Sequence, residues 1–484
     1  MTKFNHKKAF TFFVSALFIT NTFLYPCLPA YAEVDYNAQA ESRKSLPIQS
    51  NEITNWPSGP AIGAEAAILM EANTGTILYA KNIHEKNYPA STTKILTCLL
   101  ATEHSEMNEI VEYSKNAVFS IERDSSNMGM DVGEKITMEQ SLYGILVGSA
   151  NEAANAVAEH ISGSVEKFAE LMNSRAKELG CVDSNFVNPN GLYHDEHYTS
   201  AYDLATIGRA FFKNELLCKM SSTACYEIPP TPTQPDDIVV HSKNKLLPDR
   251  QCSYDYLVGS KTGFTSEARQ TLVSCAKKDG LTLICVIMKE ETPSQFTDTV
   301  ELFDYGFSNF QKVNISENEV QYSIKNNDLF NANNDVLGNS QPVLSLNEDD
   351  YIVIPNTAVF EDTSSTLSYD NTTDNSVASI HYSYSDVEVG SVTVDLVKET
   401  NTGLDLETPV LKNDNIKNEN DSDDVLFINI TKVFLIIILI AALLITIFVI
   451  HSLIDNYNFS RRKRLRNRHK KRKNISSEFD DFNF

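Results

Sequence analysis

The chain reads as a mixed α+β protein, an antiparallel sheet covered by helices. Three observations predict this: strand-like apolar runs stand at both ends of the stretch 61–310, helix-spaced segments fill its middle, and compact turns join the strand pairs. The first pair is an apolar run from Ala61 to Met70, the turn Asn73-Thr-Gly75, and a second run beginning over Thr76 to Tyr79. Pro89-Ala90 then precedes a helix starting near Ser91. Its body, Ile95 to Glu103, is apolar on nearly every face, so this helix is expected to be central and buried. Ile136 to Leu146 and Asn151 to Ile161 read as helices on either side of the Gly148-Ser-Ala loop, and Val165 to Leu179 keeps helical spacing at Phe168, Leu171, Met172, Ala176 and Leu179. Thr271 to Ala276, the turn Lys278-Asp-Gly280 and Leu281 to Met288 form a closing hairpin, with a helix over Phe296 to Tyr305 behind it.

The flanks differ in composition. Residues 1–32 combine Lys3, Lys7 and Lys8 with an apolar run and Ala30-Tyr31-Ala32, the pattern of a signal peptide cleaved after Ala32. Residues 33–60 read as a linker. From 311 to 400 the chain is rich in Asn, Ser, Thr, Asp and Val. Short runs such as Tyr351 to Ile354, Ile380 to Tyr384 and Ser391 to Val397 predict a small all-β domain. Residues 401–432 are acidic, Asn-rich and poor in aromatics, a disordered spacer. Residues 433–454 are apolar apart from Thr446, His451 and Ser452, long enough to cross a bilayer as a helix. Ten Lys or Arg lie between Arg461 and Lys473 in the tail 455–484, and basic flanks stay cytoplasmic. The expected location is therefore the cell membrane, with one span and everything before Val433 outside the cytoplasm.

The chain has 484 residues and a net charge of −23, yet that basic tail is confined to one end, so the rest is strongly acidic. An acidic exterior argues against a nucleic-acid partner. Seven cysteines follow the signal segment: Cys98, Cys181, Cys218, Cys225, Cys252, Cys275 and Cys285. Their odd number and spacing argue against a disulfide framework or a zinc site, with a pairing of Cys218 with Cys225 or Cys252 left open. No metal or cofactor is expected. His194 and His197, in a Gly-, Asp- and Tyr-rich loop, read as solvated, as do His104 and His160 near helix ends.

Chemistry is carried by three short motifs in fixed order: Ser91-Thr-Thr-Lys94, Ser149-Ala-Asn151 and Lys261-Thr-Gly263. Ser-x-x-Lys begins at five other serines, but Lys-Thr-Gly occurs once, and the signal lies in the conjunction. A serine hydroxyl is a poor nucleophile until a base takes its proton. Three residues along a helix place Ser91 and Lys94 on one face, and burial beside a helix N-terminus destabilises the ammonium, which fits Lys94 as that base. Ser149 is the candidate proton relay to the leaving amine, and Asn151 the residue that holds a substrate amide and orients Lys94. Lys261 and Thr262 offer charge and hydroxyl to a carboxylate, while Gly263 permits close backbone approach. The backbone N–H groups of Ser91 and Phe264 are the expected oxyanion donors.

These residues resemble the serine-type D-alanyl-D-alanine carboxypeptidases, low-molecular-mass penicillin-binding proteins. The likeness extends to Pro89-Ala-Ser-Thr-Thr-Lys94, Gly133-Glu-Lys-Ile-Thr137, Leu142-Tyr-Gly-Ile-Leu146, Asn188-Pro-Asn-Gly-Leu192, Tyr198-Thr-Ser-Ala-Tyr-Asp203, Asn244-Lys-Leu-Leu247, Lys261-Thr-Gly-Phe-Thr265 and Asp304-Tyr-Gly306. It implies a β-lactamase/transpeptidase-like domain with a helical subdomain over 61–310. It further implies removal of the terminal D-alanine from peptidoglycan stem pentapeptides through an acyl-enzyme at Ser91, with β-lactams as inhibitors. Relatives commonly carry Arg where this chain has Gln295 and tend to have Gly where it has Arg269, so Arg269 is expected to replace part of the missing charge. A β-lactamase and a non-catalytic β-lactam receptor remain as alternatives. Against the first, no Glu-x-x-Leu-Asn lies between the second and third motifs; against the second, the tail is too short for an output domain.

Overall fold

A computed structural model describes residues 34–231, 233–322, 344–369 and 376–396. The chain divides into two units, Met1–Thr400 and Asn401–Phe484. The proposed signal peptide, acidic spacer, membrane span and basic tail all lie outside the described residues. Among the described residues no helix is long and apolar enough to cross a membrane.

Five antiparallel strands form the central sheet in the order Ile77–Lys81, Ala66–Glu71, Leu281–Glu290, Arg269–Lys278, Leu257–Thr265. The run Leu283 to Met288 explains why an unbroken apolar segment is a strand here. Ile284, Val286 and Met288 enter a core shared with the helices, and Leu283, Cys285 and Ile287 enter a second core on the opposite face. Successive side chains of a strand alternate between faces, so a strand buried on both must be apolar throughout. The helix Ser294–Asn309 covers the second face. On the first lies the helix Lys94–His104, buried from Lys94 through Ala101. The helices Asn151–Ser162, Val165–Leu179 and Ala201–Phe212 surround it. The strand carrying Lys-Thr-Gly is therefore an edge strand, open along one side.

Boundaries shift where local hydrogen bonding outweighs apolar spacing. Ile136 to Leu146, expected as one helix, is divided three ways. Lys135–Thr137 pairs as a strand with Ile110–Glu112, Thr137 caps the helix Met138–Tyr143 in a capping box with Gln140, and Gly144–Gly148 is a π-turn. Beyond the catalytic body, Phe310–Asn314 pairs with Tyr351–Pro355. Next to them stands a four-stranded sheet in the order Leu344–Leu346, Val387–Leu396, Ser376–Tyr384, Ser364–Ser368. The seven described cysteines are free thiols, including Cys218, Cys225 and Cys252.

The stretch 33–60 is not a bare linker. It holds a helix, Tyr36–Arg43, capped by the Asp35 side chain, and a short 3-10 turn, Gln49–Glu52. Polar groups, which leave no periodicity to read, fasten it to the sheet. The buried Arg43 donates from Nε to the Gly63 carbonyl at 2.8 Å, and Lys81 Nζ donates to the carbonyls of Arg43 and Ile62. Trp56, the chain's one tryptophan, donates to the Leu78 carbonyl at 2.9 Å and packs against Phe310 and Tyr384. It thus joins the N-terminal segment, the first hairpin and the β-rich region. Trp56→Ala in a chain ending before Val433 should cost about 3–5 kcal/mol of stability, seen by circular dichroism as a lower urea midpoint.

Candidate active site

The nucleophile sits where the chain enters the buried helix. Pro89 precedes a 3-10 turn, Ala90–Thr93, which continues into Lys94–His104. Ala90 has φ +49°, a left-handed conformation costly for a residue with a Cβ, and such strain clusters at functional positions. Two glycines make room for this turn. A Cβ on Gly191 would lie 1.8 Å from the Ala90 carbonyl oxygen, and one on Gly263 would lie 2.9 Å from the Ser91 nitrogen and 2.3 Å from Thr271 Oγ1. Gly263 thereby brings the Lys-Thr-Gly strand against the amide of Ser91, where an oxyanion donor is required.

Lys94 is fully buried, and its Nζ has three neighbours: Ser91 Oγ at 2.8 Å, Asn151 Oδ1 at 2.7 Å and the Asn190 carbonyl at 2.5 Å. Burial is the largest cause holding its pKa well below the ordinary lysine range, and the charge of Lys261 is the next. A neutral amine has two N–H donors and one lone pair. In its neutral form Nζ can give both donors to the Asn151 and Asn190 oxygens and turn its lone pair to the Ser91 hydroxyl. That is the arrangement a general base requires.

Ser149 ends the π-turn in a left-handed conformation, φ +59°. Lys261 Nζ donates to Ser149 Oγ at 3.0 Å and to the Thr262 carbonyl at 2.8 Å. Burial lowers the Lys261 pKa to about 7. An open cleft of about 450 Å³ runs past these groups, and its lining includes Ser91, Ser149, Thr262, Gly263 and Phe264. Lys94, Asn151 and Lys261 stand behind that wall, all buried. All eight residues singled out in the sequence thus converge, although they come from three separate parts of the chain.

Asn190 was not singled out. Its carbonyl accepts from Lys94 and its Nδ2 donates to Asn155 Oδ1, while Pro189 accepts from Thr97 on the buried helix. The Asn-Pro-Asn-Gly turn was the available signal, but backbone carbonyls carry no residue code. His197 also departs from expectation. It is buried, its Nδ1 accepts from the Val187 N–H, and its Nε2 is 2.9 Å from Thr93 Oγ1. Burial drives its pKa to about 3, so the ring is neutral. The cause is pairing of the next residues, Tyr198 with Asn185 and Thr199 with Asn87, which draws the loop inward. His194 is exposed. Among the described residues no cluster of His, Cys, Asp or Glu could hold a metal.

Arg269 does not supply a free charge for a carboxylate. Its guanidinium is paired with both oxygens of Glu291, at 2.8 and 2.7 Å, and lies 3.6 Å from the Tyr36 ring centroid. In the cleft itself the lysines present are Lys243 and Lys245.

Fold and site together are those of a serine acyl-transfer enzyme, with a buried lysine beside the serine. The model of a peptidase family described as D-alanyl-D-alanine carboxypeptidase matches residues 53–292. D-alanyl-D-alanine carboxypeptidase DacF of Bacillus subtilis is 36% identical over 251 residues, 51% of this chain and 63% of that protein. DacA of Haemophilus influenzae is 32% identical over 282 residues, 55% of this chain and 69% of that protein. Penicillin binding protein 5 from Haemophilus influenzae superimposes with a TM-score of 0.56 at 25% identity, covering 70% of this chain and 98% of that one. The chain belongs to the D-alanyl-D-alanine carboxypeptidase family.

For Lys94 to act as a base it must be neutral, and for Lys261 to hold a carboxylate it must be charged, so the two roles oppose each other with pH. Acylation of Ser91 by a penicillin should rise as pH climbs through the depressed Lys94 pKa, then fall as Lys261 deprotonates above about 7. A penicillin methyl ester should keep the first limb and lose the second, measured as second-order labelling rates across pH.

Proposed function

We propose that this protein is a serine D-alanyl-D-alanine carboxypeptidase that trims the terminal D-alanine from peptidoglycan stem peptides. The carrying observation is the buried Lys94 amine, 2.8 Å from Ser91 Oγ and tethered by Asn151 and Asn190. Ser91 Oγ bonds to the carbonyl carbon of the D-Ala-D-Ala amide and gives its proton to Lys94 Nζ. The oxyanion lies between the N–H groups of Ser91 and Phe264. As the C–N bond breaks, Ser149 passes a proton to the departing amine, drawn by relay from Lys94, and D-alanine leaves. Water then attacks the ester carbonyl, with Lys94 taking its proton and returning one to Ser91 Oγ. Thr262 and the Lys261 ammonium face the substrate carboxylate. A β-lactam presents the same amide and carboxylate in a ring, so its opened product stays attached to Ser91.

The decisive assay offers diacetyl-Lys-D-Ala-D-Ala and a fluorescent penicillin to the chain. Released D-alanine together with a Ser91 adduct supports the carboxypeptidase. Rapid penicillin turnover instead identifies a β-lactamase, and a stable adduct without D-alanine identifies a receptor. Ser91→Ala should abolish the adduct and lower D-alanine release by about 10⁴-fold or more.

The same reading places the enzyme at the cell membrane, its catalytic part outside the cytoplasm. The support is sequence alone: the N-terminal leader pattern, the apolar run 433–454 and the basic stretch after it. Full-length chain should resist alkaline carbonate extraction from membranes, whereas a chain ending before Val433 should appear in the soluble fraction.

A further inference from the structure

The turn that follows the Lys-Thr-Gly strand contains a residue in an expensive conformation. Arg269 has φ +54°, the left-handed region that only glycine enters without strain. It is the first residue of the strand Arg269–Lys278 and pairs with Thr265, so the distortion falls where the edge hairpin closes. A side chain tolerated there at such a cost is well placed to repay it through contacts, and Arg269 makes them to three separate segments.

Its Nε and Nη2 donate to the two carboxylate oxygens of Glu291, a bidentate pair whose members are both largely buried. Its guanidinium stacks 3.6 Å from the ring centroid of Tyr36, on the helix Tyr36–Arg43, and lies 5.5 Å from that of Phe264. Two of these partners border the substrate cleft. Phe264 lines it directly and is 53% exposed. Glu291 immediately precedes Thr292, and Thr292, Gln295 and Phe296 form the facing wall. The third partner is itself anchored, because Arg43 and Lys81 tie the far end of its helix to the sheet.

We propose that Arg269 is a positioning residue of the substrate cleft. It clamps the Phe264 end of the Lys-Thr-Gly strand to the Thr292–Phe296 wall and makes the helix Tyr36–Arg43 part of the binding apparatus. Arg269 touches no reacting atom; it acts through Phe264, whose backbone N–H is an oxyanion donor in the reaction above, and through the width of the cleft. The inference rests on that reading of Ser91 acylation and adds to it the segment 36–43.

The test uses Arg269→Gly, Arg269→Lys, Tyr36→Leu and the double variant Arg269→Gly/Tyr36→Leu in the full chain. Each is followed by the rate of Ser91 labelling with a fluorescent penicillin, by KM and kcat for diacetyl-Lys-D-Ala-D-Ala, and by thermal unfolding. Glycine is chosen because it accepts φ +54° and so removes the clamp without adding strain. Arg269→Gly should lower the labelling rate about tenfold and raise KM, with relief of the positive φ offsetting part of the stability lost when Glu291 is left without its partner. Arg269→Lys, which keeps charge but cannot make the bidentate pair, should fall between glycine and the parent. Tyr36→Leu should lower labelling about threefold alone and have no further effect beside Arg269→Gly, since both act through one contact.

Parental labelling rates in Arg269→Gly, or additive losses in the double variant, would overturn the clamp. Loss of labelling that merely tracks a fall in unfolding midpoint across the series would do the same. A parent chain that takes no penicillin at Ser91 would instead overturn the catalytic reading, so the two failures are distinguishable.

Discussion

One buried amine organises this protein. Lys94 has no contact with solvent, and a charged ammonium there would lack the hydration that offsets its desolvation. The fold eases the conflict by lowering the Lys94 pKa and giving Nζ three partners within hydrogen-bond distance: the Asn151 and Asn190 oxygens and the Ser91 hydroxyl. The apolar helix supplies the burial, the Asn151 helix and the Asn188 to Gly191 turn supply the oxygens, and the Lys-Thr-Gly strand supplies the second positive charge.

The sheet makes this convergence possible. Its antiparallel order brings the first hairpin and the last three strands together, although the 175 residues from Asn82 to Tyr256, which carry most of the helices on the first face, separate them. Since the Lys-Thr-Gly strand is at the edge, its free side borders the cleft. Gly263 then removes the one Cβ that would hold the strand away from Ser91. Strain is concentrated nearby, in the left-handed conformations of Ala90, Ser149 and Arg269. The rigid double-faced core beneath them supplies the constraint that keeps these conformations in place.

Much of the site was legible because its chemistry lies in side chains at short, fixed spacings. Ser91 and Lys94 are one turn apart, Ser149 and Asn151 straddle a helix start, and Lys261 to Phe264 run along one strand. What escaped was carried by backbone or by contacts between distant segments. The Asn190 carbonyl is anonymous in a sequence. His197 lay in a polar loop whose neighbours gave no sign of pairing with residues 87 and 185, and that pairing buries it. Residues 33–60 read as a linker because Arg43, Trp56 and Lys81 anchor the segment through hydrogen bonds to carbonyls, which leave no apolar period. Arg269 was read as a free cation because nothing local announced that Glu291 neutralises it.

By itself, then, the sequence determined the periodicities that make strands and helices, the buried character of the helix after Ser91, and which side chains, Ser91, Lys94 and Ser149 among them, were candidates for one site. These follow from rules that act within a few residues. The tertiary structure alone decided which groups face Lys94, that Glu291 pairs with Arg269, and that Tyr36 of the helix Tyr36–Arg43 stacks on the same guanidinium. Those outcomes depend on distances between segments far apart in the chain, and distance in space is the quantity that local patterning does not encode.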